Sequence, residues 1–434
     1  PMVLETEAGD ADKYDAQGGE ATAIAAEERA HRQVLVGMRS PGDPESARGL
    51  IAQRERWHRG GGHPSGARQR RDRGRLRVLT ADGDRAAFLG AALHDGSGLG
   101  LTLKNLGGEF EKLKKYPVLS GICSNAGKKT LDDFMKKQGF KLKYEWKPKI
   151  KPIKGINARD YYFARAYDYP AQYKNRTMEE KEALLMNTRL AVRRIGEPDG
   201  SIFAFSFYPD VITIKEVGDP LEVAQFFGLD RDGLKAKIVL AQGRQNTNYV
   251  IYLYACHPFF IQGYCTMTNG ENTAFVPIRE FLTGRGFPGY IGYNSDSEVF
   301  THILHYTTRQ LGFPITYYKD VITPLKASEM DGRQDKGALG LMKQSLRPLC
   351  IDGPNMVIGF TPDGTCFMVQ DSKKLRPGVV GGVKGKYALM SEECGVDSAI
   401  PKRERAKDIF PMKYDMVIIS PDAQEVKVWN QLQG

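Results

Sequence analysis

The chain has 434 residues, 41% of them hydrophobic and 10% aromatic, enough for one large domain or two ordinary ones around a sizeable core. No run approaches the ~18–20 apolar residues of a membrane span. The first residues lack the charged-then-apolar pattern of a signal peptide, so the expected location is the cytoplasm, with no membrane partner. The formal net charge is +10, but much of the excess lies in an Arg-rich leader and a Lys-rich stretch from Lys112 to Lys154. It is read as solvated surface in preference to a nucleic-acid interface.

The leader differs from the rest. Lys13 is the only lysine before Lys104, and arginine dominates instead, notably from Arg68 to Arg77. So polar and Gly-rich a stretch buries too little apolar surface to offset its ordering entropy. Residues 1–73 are therefore expected to be disordered or irregular, with helical turns near Ala21–Arg32 and Glu45–Arg56, and 74–434 to form the folded domain. Helices are predicted at Glu109–Tyr116, Thr130–Gln138 and Met178–Ile195, the last two with apolar residues on one face. Strands are predicted at Lys141–Trp146 and Tyr161–Tyr167, with alternating lysines on the solvent side of the first and its continuation. A hairpin is predicted from Ile202–Tyr208 and Val211–Val217 around Pro209-Asp210. Asp219-Pro220 starts a helix, because Asp caps orphan N–H groups and Pro fits the first turn; Phe227-Gly228 ends it. Lys237–Gly243 and Tyr249–Ala255 read as strands. Asn294-Ser295-Asp296 reads as the cap of a helix from Glu298 to Leu311. Met356–Thr361 and Thr365–Asp371 read as a hairpin over Pro362-Asp363-Gly364, and Tyr387–Ser391 and Met416–Ser420 as further strands. Hairpins with flanking helices define an α+β protein.

The six cysteines, Cys123, Cys256, Cys265, Cys350, Cys366 and Cys394, form no C-x-x-C pair, so neither a zinc ribbon nor an iron–sulfur site is indicated, and no metal is expected. A thiol nucleophile at Cys256 or Cys265, beside His257, is weighed against buried free thiols, which the composition favours. Gly107-Gly108 and Gly381-Gly382 lack the strand–Gly-x-Gly-x-x-Gly–helix context of a nucleotide site, and no cofactor is expected.

The motif-rich stretch is Thr268-Asn269-Gly270-Glu271-Asn272, which follows apolar Phe259-Phe260-Ile261 and the predicted strand Tyr264-Cys265-Thr266-Met267. An Asn-Gly pair alone reads as a hairpin turn. A carboxamide and a backbone N–H at a strand end also make an oxyanion hole. Arg244-Gln245-Asn246-Thr247-Asn248 lies upstream, His257-Pro258-Phe259 between, and Asn294-Ser295-Asp296-Ser297-Glu298 downstream.

That ordered set resembles the class II glutamine amidotransferases, specifically the amidotransferase part of glutamate synthase and its stand-alone relatives. The likeness runs from about Gly96 to the C-terminus and includes Asp371 to Pro377 and Ser391-Glu392. It implies a four-layer αββα sandwich of the N-terminal-nucleophile hydrolase type. It implies hydrolysis of glutamine to glutamate and ammonia, passed to a partner subunit that carries FMN and iron–sulfur clusters. By this likeness Arg244 grips the substrate α-carboxylate, since a planar guanidinium matches a carboxylate bidentately. Asp296 holds the α-ammonium, Asn269 and the Gly270 N–H form the oxyanion hole, and Thr247 and His257 shape the pocket. Each has a plainer reading: an ion pair for Arg244, a helix cap for Asp296, a structural histidine for His257.

The family's nucleophile is an N-terminal cysteine whose own amine is the base. Here Gly74-Arg75-Leu76 stands where Cys-Arg-Leu is expected, and no cysteine precedes Cys123. Two functions stay open: a glutaminase, inactive as written if Gly74 replaces its nucleophile, and a non-catalytic glutamine- or glutamate-binding regulatory or scaffold subunit. A nucleic-acid role for the Arg-rich leader is the third and weakest.

Overall fold

The structure is a computed structural model that describes residues 34–39 and 97–434, apart from 230, 232, 246–252 and 288–294; at 34–39 and 245 it describes the backbone alone. In order along the sequence the strands are β1 Val34–Arg39, β2 Ser97–Gly108, β3 Pro117–Cys123, β4 Lys141–Trp146, β5 Tyr161–Asp168, β6 Ile202–Pro209, β7 Val211–Val217, β8 Leu234–Gln245, β9 Phe259–Ile261, β10 Tyr264–Gly270, β11 Asn355–Phe360, β12 Cys366–Gln370, β13 Val379–Val383, β14 Lys386–Met390, β15 Asp415–Ile419 and β16 Val426–Asn430. The helices are α1 Asn125–Lys137, α2 Met178–Gly196, α3 Pro220–Phe227, α4 Phe275–Gly284, α5 Glu298–His305, α6 Ile315–Ile322, α7 Lys336–Ser345 and α8 Glu393–Ala399.

The strands form three antiparallel sheets. One six-stranded sheet runs β13-β14-β1-β8-β2-β7, another β16-β15-β12-β11-β10-β9, and a four-stranded sheet runs β4-β5-β3-β6. Strand periodicity sets the stacking, because alternate residues point to opposite faces. Val211, Ile238 and Leu240 of the first sheet share a core with Met267, Ile358, Phe360 and Met368 of the second, so these two sheets lie face to face. On the opposite face of the first sheet, Leu101, Leu103, Ile212 and Ile214 meet Val118, Tyr162, Ala164 and Phe205 of the four-stranded sheet and Val223, Phe226 and Phe227 of α3. Helices α4, α5 and α6 cover the outer face of the second sheet through Ile278, Leu282, Val299, Ile303, Tyr318 and Ile322. The far face of the four-stranded sheet packs on α1 and α2.

Local chemistry sets the helix ends. Thr177 and Glu180 form a reciprocal capping box at the start of α2. Asp219 accepts from the Leu221 and Glu222 N–H groups at the start of α3, and Gly228 closes it in the left-handed region. The exposed edge strand β4 carries its lysines in solvent, with Lys143 near Asp168 and Lys147 near Glu145.

Several expectations change. Glu109–Tyr116 is a run of tight turns, with Leu113 N–H on the Phe110 carbonyl and Tyr116 N–H on the Leu113 carbonyl. This geometry buries Phe110 and Leu113 without a helix. The predicted hairpin of β6 and β7 is not one: the strands join different sheets. Asp210 between them has φ 57°, and its carboxylate accepts from the Leu106 N–H, which redirects the backbone from one layer to the next. Leu253–Ala255 is a 3₁₀ turn, not a strand end. The predicted helix from Glu298 gives way after His305 to a π-helical turn over Tyr306–Gln310. Helices α4, α6, α7 and α8 have no counterpart among the predicted elements. Within the leader, β1 pairs with both β8 and β14. The helical turns expected near Ala21–Arg32 and Glu45–Arg56 lie outside the described residues, as does Gly74.

Candidate functional site

The site is built near the C-terminal end of β8. Gln242 and Arg244 are two residues apart on this strand and share a face. Across the ladder, Gly98 stands opposite Arg244 and Gly100 opposite Gln242. One strand further, Gly100 stands opposite Lys215. Lys215, Gly100 and Gln242 thus form a row of long side chain, no side chain, long side chain. The gap is filled by backbone. A Cβ on Gly100 would lie 1.7 Å from the His257 carbonyl oxygen, so only glycine lets the His257–Pro258 segment, which has a cis peptide bond, seat on the sheet.

His257 is buried and bridges two partners. Its Nδ1 lies 2.5 Å from Gln242 Oε1, and its Nε2 lies 3.2 Å from Arg244 Nη1. A carboxamide oxygen only accepts and a guanidinium only donates. The imidazole is therefore neutral, with its proton on Nδ1 and its Nε2 lone pair facing Arg244. With the proton there, the Thr268 N–H, 3.4 Å from the same Nδ1, finds no acceptor on it, and the shorter contact with Gln242 decides the tautomer. Burial, then the charges of Arg244 and Lys215, hold the His257 pKa well below the usual histidine range. Gln242 Nε2 donates to the Thr268 carbonyl at 2.9 Å. Arg244 Nη1 also donates to the Ala255 carbonyl and to Ser295 Oγ, each at 2.8 Å.

From Ser295 the contacts continue. Ser295 Oγ lies 3.3 Å from Asp296 Oδ1, and Asp296 Oδ2 accepts from the Asn272 N–H at 2.9 Å. Asn272 follows β10, whose Thr268 is already tied to Gln242. The result is a closed ring: Arg244, His257, Gln242, Thr268, then the backbone through Asn269 and Gly270 to Asn272, Asp296, Ser295 and back to Arg244. Asn269 is 6% exposed, and its Nδ2 has no hydrogen-bond partner among the described residues. Such an orphaned donor is costly to bury, and a ligand acceptor would satisfy it.

The structure thus brings Arg244, His257, Asn269, Gly270 and Asp296 onto one ring; Thr247, with Asn246, Asn248 and Asn294, lies outside the described residues. Asn269-Gly270 is not a hairpin turn. Both residues end β10 and pair with Met356 and Asn355 of β11. Gly270 has φ 153°, and a Cβ there would lie 2.1 Å from the Pro354 carbonyl oxygen. At the start of α5, Ser295 Oγ accepts from the Ser297 N–H, as the predicted cap has it, while Asp296 Oδ2 holds the loop after β10. Gln242, Gly100 and Lys215 were missed as site residues. Gln242 was legible as the same-face neighbour of Arg244. Lys215 was legible as a cation on the Thr213 side of a strand otherwise apolar up to it.

Cys123, Cys256 and Cys265 are buried, which disfavours their thiolates. Burial pushes Cys256 up to about 11, and Cys123 and Cys265 up to about 12. Among the described residues no group of three or more His, Cys, Asp or Glu is placed to hold a metal ion.

No protein-family model matches the sequence, and no curated protein sequence does. Among solved structures, it is similar to the glutamine phosphoribosylpyrophosphate amidotransferase of B. subtilis complexed with ADP and GMP, at 17% identity and a TM-score of 0.34 over 51% of this chain and 40% of that one. An allosteric regulatory enzyme of purine biosynthesis gives 16% identity and the same TM-score and coverage. A glutamine aminotransferase class-II domain protein from Silicibacter pomeroyi gives 11% identity and a TM-score of 0.26 over 77% of this chain and 98% of that one. The protein thus spans two fifths of the length of the first two. No residue role follows from overlaps this loose.

Proposed function

We propose that the protein is class II glutamine amidotransferase-like, of the glutamate-synthase type, and that the ring around Arg244 and Asp296 encloses a glutamine site. The observation that supports this reading most is the closure of the ring itself. Motif residues scattered over more than fifty positions of sequence meet in one hydrogen-bonded circuit, with the Asn269 Nδ2 buried upon it and unpartnered among the described residues. In this reading Arg244 binds the α-carboxylate, Asp296 the α-ammonium, and Asn269 with the Gly270 N–H the oxyanion formed at the amide carbon. Thr247 lines the pocket. His257 is a neutral acceptor that orients Arg244 and does not act as the base. Hydrolysis breaks the C–N bond of the glutamine carboxamide, water supplies the glutamate oxygen, and nitrogen leaves as ammonia for an FMN and iron–sulfur partner subunit. The two face-to-face six-stranded sheets are then the ββ centre and α4–α6 one helical layer, while the four-stranded sheet and α3 stand where an αββα sandwich has its second helical layer.

A second reading, a glutamine- or glutamate-binding regulatory or scaffold subunit without turnover, is favoured by the burial of Cys123, Cys256 and Cys265, which leaves none of these thiols exposed to a substrate. Calorimetric titration of the full-length protein with glutamine and with glutamate, alongside an ammonia-release assay, separates the two. Binding with ammonia release supports the amidotransferase. Binding without release supports the subunit. No binding of either amino acid overturns both.

A further inference from the structure

We infer that Lys215 is a positioning residue of this site: its amine holds the Cys256 carbonyl and so seats the His257–Pro258 segment on Gly100, in the pose where His257 bridges Gln242 and Arg244. Three observations carry this. Lys215 is 5% exposed, and its Nζ donates to the Cys256 carbonyl, one residue before His257. Its register opposite Gly100 places it on one side of the gap, with Gln242 on the other. Adjacent antiparallel strands lie ~4.8 Å apart, so a side chain as long as lysine reaches across the gap and a short one does not. Its Nζ also lies 5.0 Å from the Phe259 ring centroid, and that ring packs 4.8 Å from the His257 ring. Lys215 therefore steadies the segment from both ends: by a hydrogen bond before His257 and by a cation–π contact after it.

A cation this deep is expensive to keep. Burial lowers its pKa to about 8, against the partly offsetting influence of Cys256, Cys265 and Glu298. A methionine would fill the same space without that cost, so the amine is read as serving geometry. His257 is held by Gln242 at one ring nitrogen and Arg244 at the other, and both contacts require the ring in one orientation. Releasing the Cys256 carbonyl frees the ring to turn, and Arg244 loses the longest of its three Nη1 contacts, keeping those to the Ala255 carbonyl and Ser295 Oγ.

The test reads the His257 ring directly and does not depend on activity. In protein labelled with ¹⁵N-histidine, the His257 signals are those missing from His257→Gln, and the wild-type ring shows a protonated Nδ1 and a bare Nε2. Lys215→Met is expected to abolish that single-tautomer signature and weaken glutamine binding about tenfold. Lys215→Arg, which keeps N–H donors at the reach of lysine, is expected to recover much of both. Unchanged ring signals in Lys215→Met overturn the inference, whatever happens to its melting temperature. Should neither variant fold, the wild-type protein still decides: a coupling through the hydrogen bond between Lys215 ¹⁵Nζ and the Cys256 carbonyl carbon is expected, and its absence overturns the inference. The affinity arm rests on the proposed glutamine site. If wild-type protein binds no glutamine while the ring signature still depends on Lys215, the functional reading falls and the positioning role stands.

Discussion

The two faces of the β7-β2-β8 ribbon are built from the same three strands and do opposite work. One face carries Leu101, Leu103, Ile212 and Ile214, all buried against the four-stranded sheet and α3. The other packs Val211, Ile238 and Leu240 on the second sheet and, toward the site, carries Gly98, Gly100, Thr102 and Lys104 on β2, Thr213 and Lys215 on β7, and Gln242 and Arg244 on β8. Most of these polar side chains are as deeply buried as the leucines, with Thr102 at 0% and Lys215 at 5% exposure. Burying amines, amides and a guanidinium costs free energy unless each is paired. That the second face keeps them shows a surface arranged for polar contacts, and its glycines show where backbone or ligand must come close.

That contrast can be broken from either side. Leu101→Ala should cost about 3–4 kcal/mol of stability in urea unfolding, through the cavity it leaves, while glutamine affinity stays at the wild-type value. Gly100→Ala adds one methyl on the opposite face and should cost about 3 kcal/mol, because the His257 carbonyl must move. Unlike Leu101→Ala, it should also disturb the His257 ring signals. Gln242→Leu strips His257 Nδ1 and the Thr268 carbonyl of partners and should cost about 2 kcal/mol.

The pH dependence sharpens the comparison further. Lys215 has a folded pKa of about 8 against an ordinary value of 10.5, so between these values the unfolded state holds a proton that the folded state releases. Stability must then rise with pH across that window, as the burial penalty on the ammonium is relieved. From pH 8 to 10 wild type should gain about 1–2 kcal/mol relative to Lys215→Met, measured by unfolding of both in parallel. Asp219→Ala removes the cap of α3, remote from the polar face, and should cost about 1 kcal/mol with no change in the His257 ring.

Local signals were legible in the sequence where they act locally. The Asp219-Pro220 start and Gly228 stop of α3, the turn between β11 and β12, and the alternating lysines of β4 all appear as read. What failed was pairing. Ile202–Pro209 and Val211–Val217 look like a hairpin because two apolar runs flank a turn pair, yet Asp210 sends the second strand to another sheet. Asn269-Gly270 carries the strongest short turn signal in the sequence, yet β11 pairs with both residues. Long-range pairing outweighs local propensity in each case. Arg244, His257 and Asp296 were singled out by motif order. The hydrogen bonds among them, and the part played by Gln242, Gly100 and Lys215, depend on register across three strands, which no local window contains.

The most direct test of the central claim, that the ring through Arg244 and Asp296 holds glutamine, is calorimetric titration of L-glutamine into the full-length protein and into Arg244→Lys. Lysine keeps the charge but loses the planar fork that meets a carboxylate with two bonds. Saturable binding by wild type, weakened about tenfold or more in Arg244→Lys, is the expected result. Absence of binding to wild type, or equal affinity in the two proteins, would contradict the site.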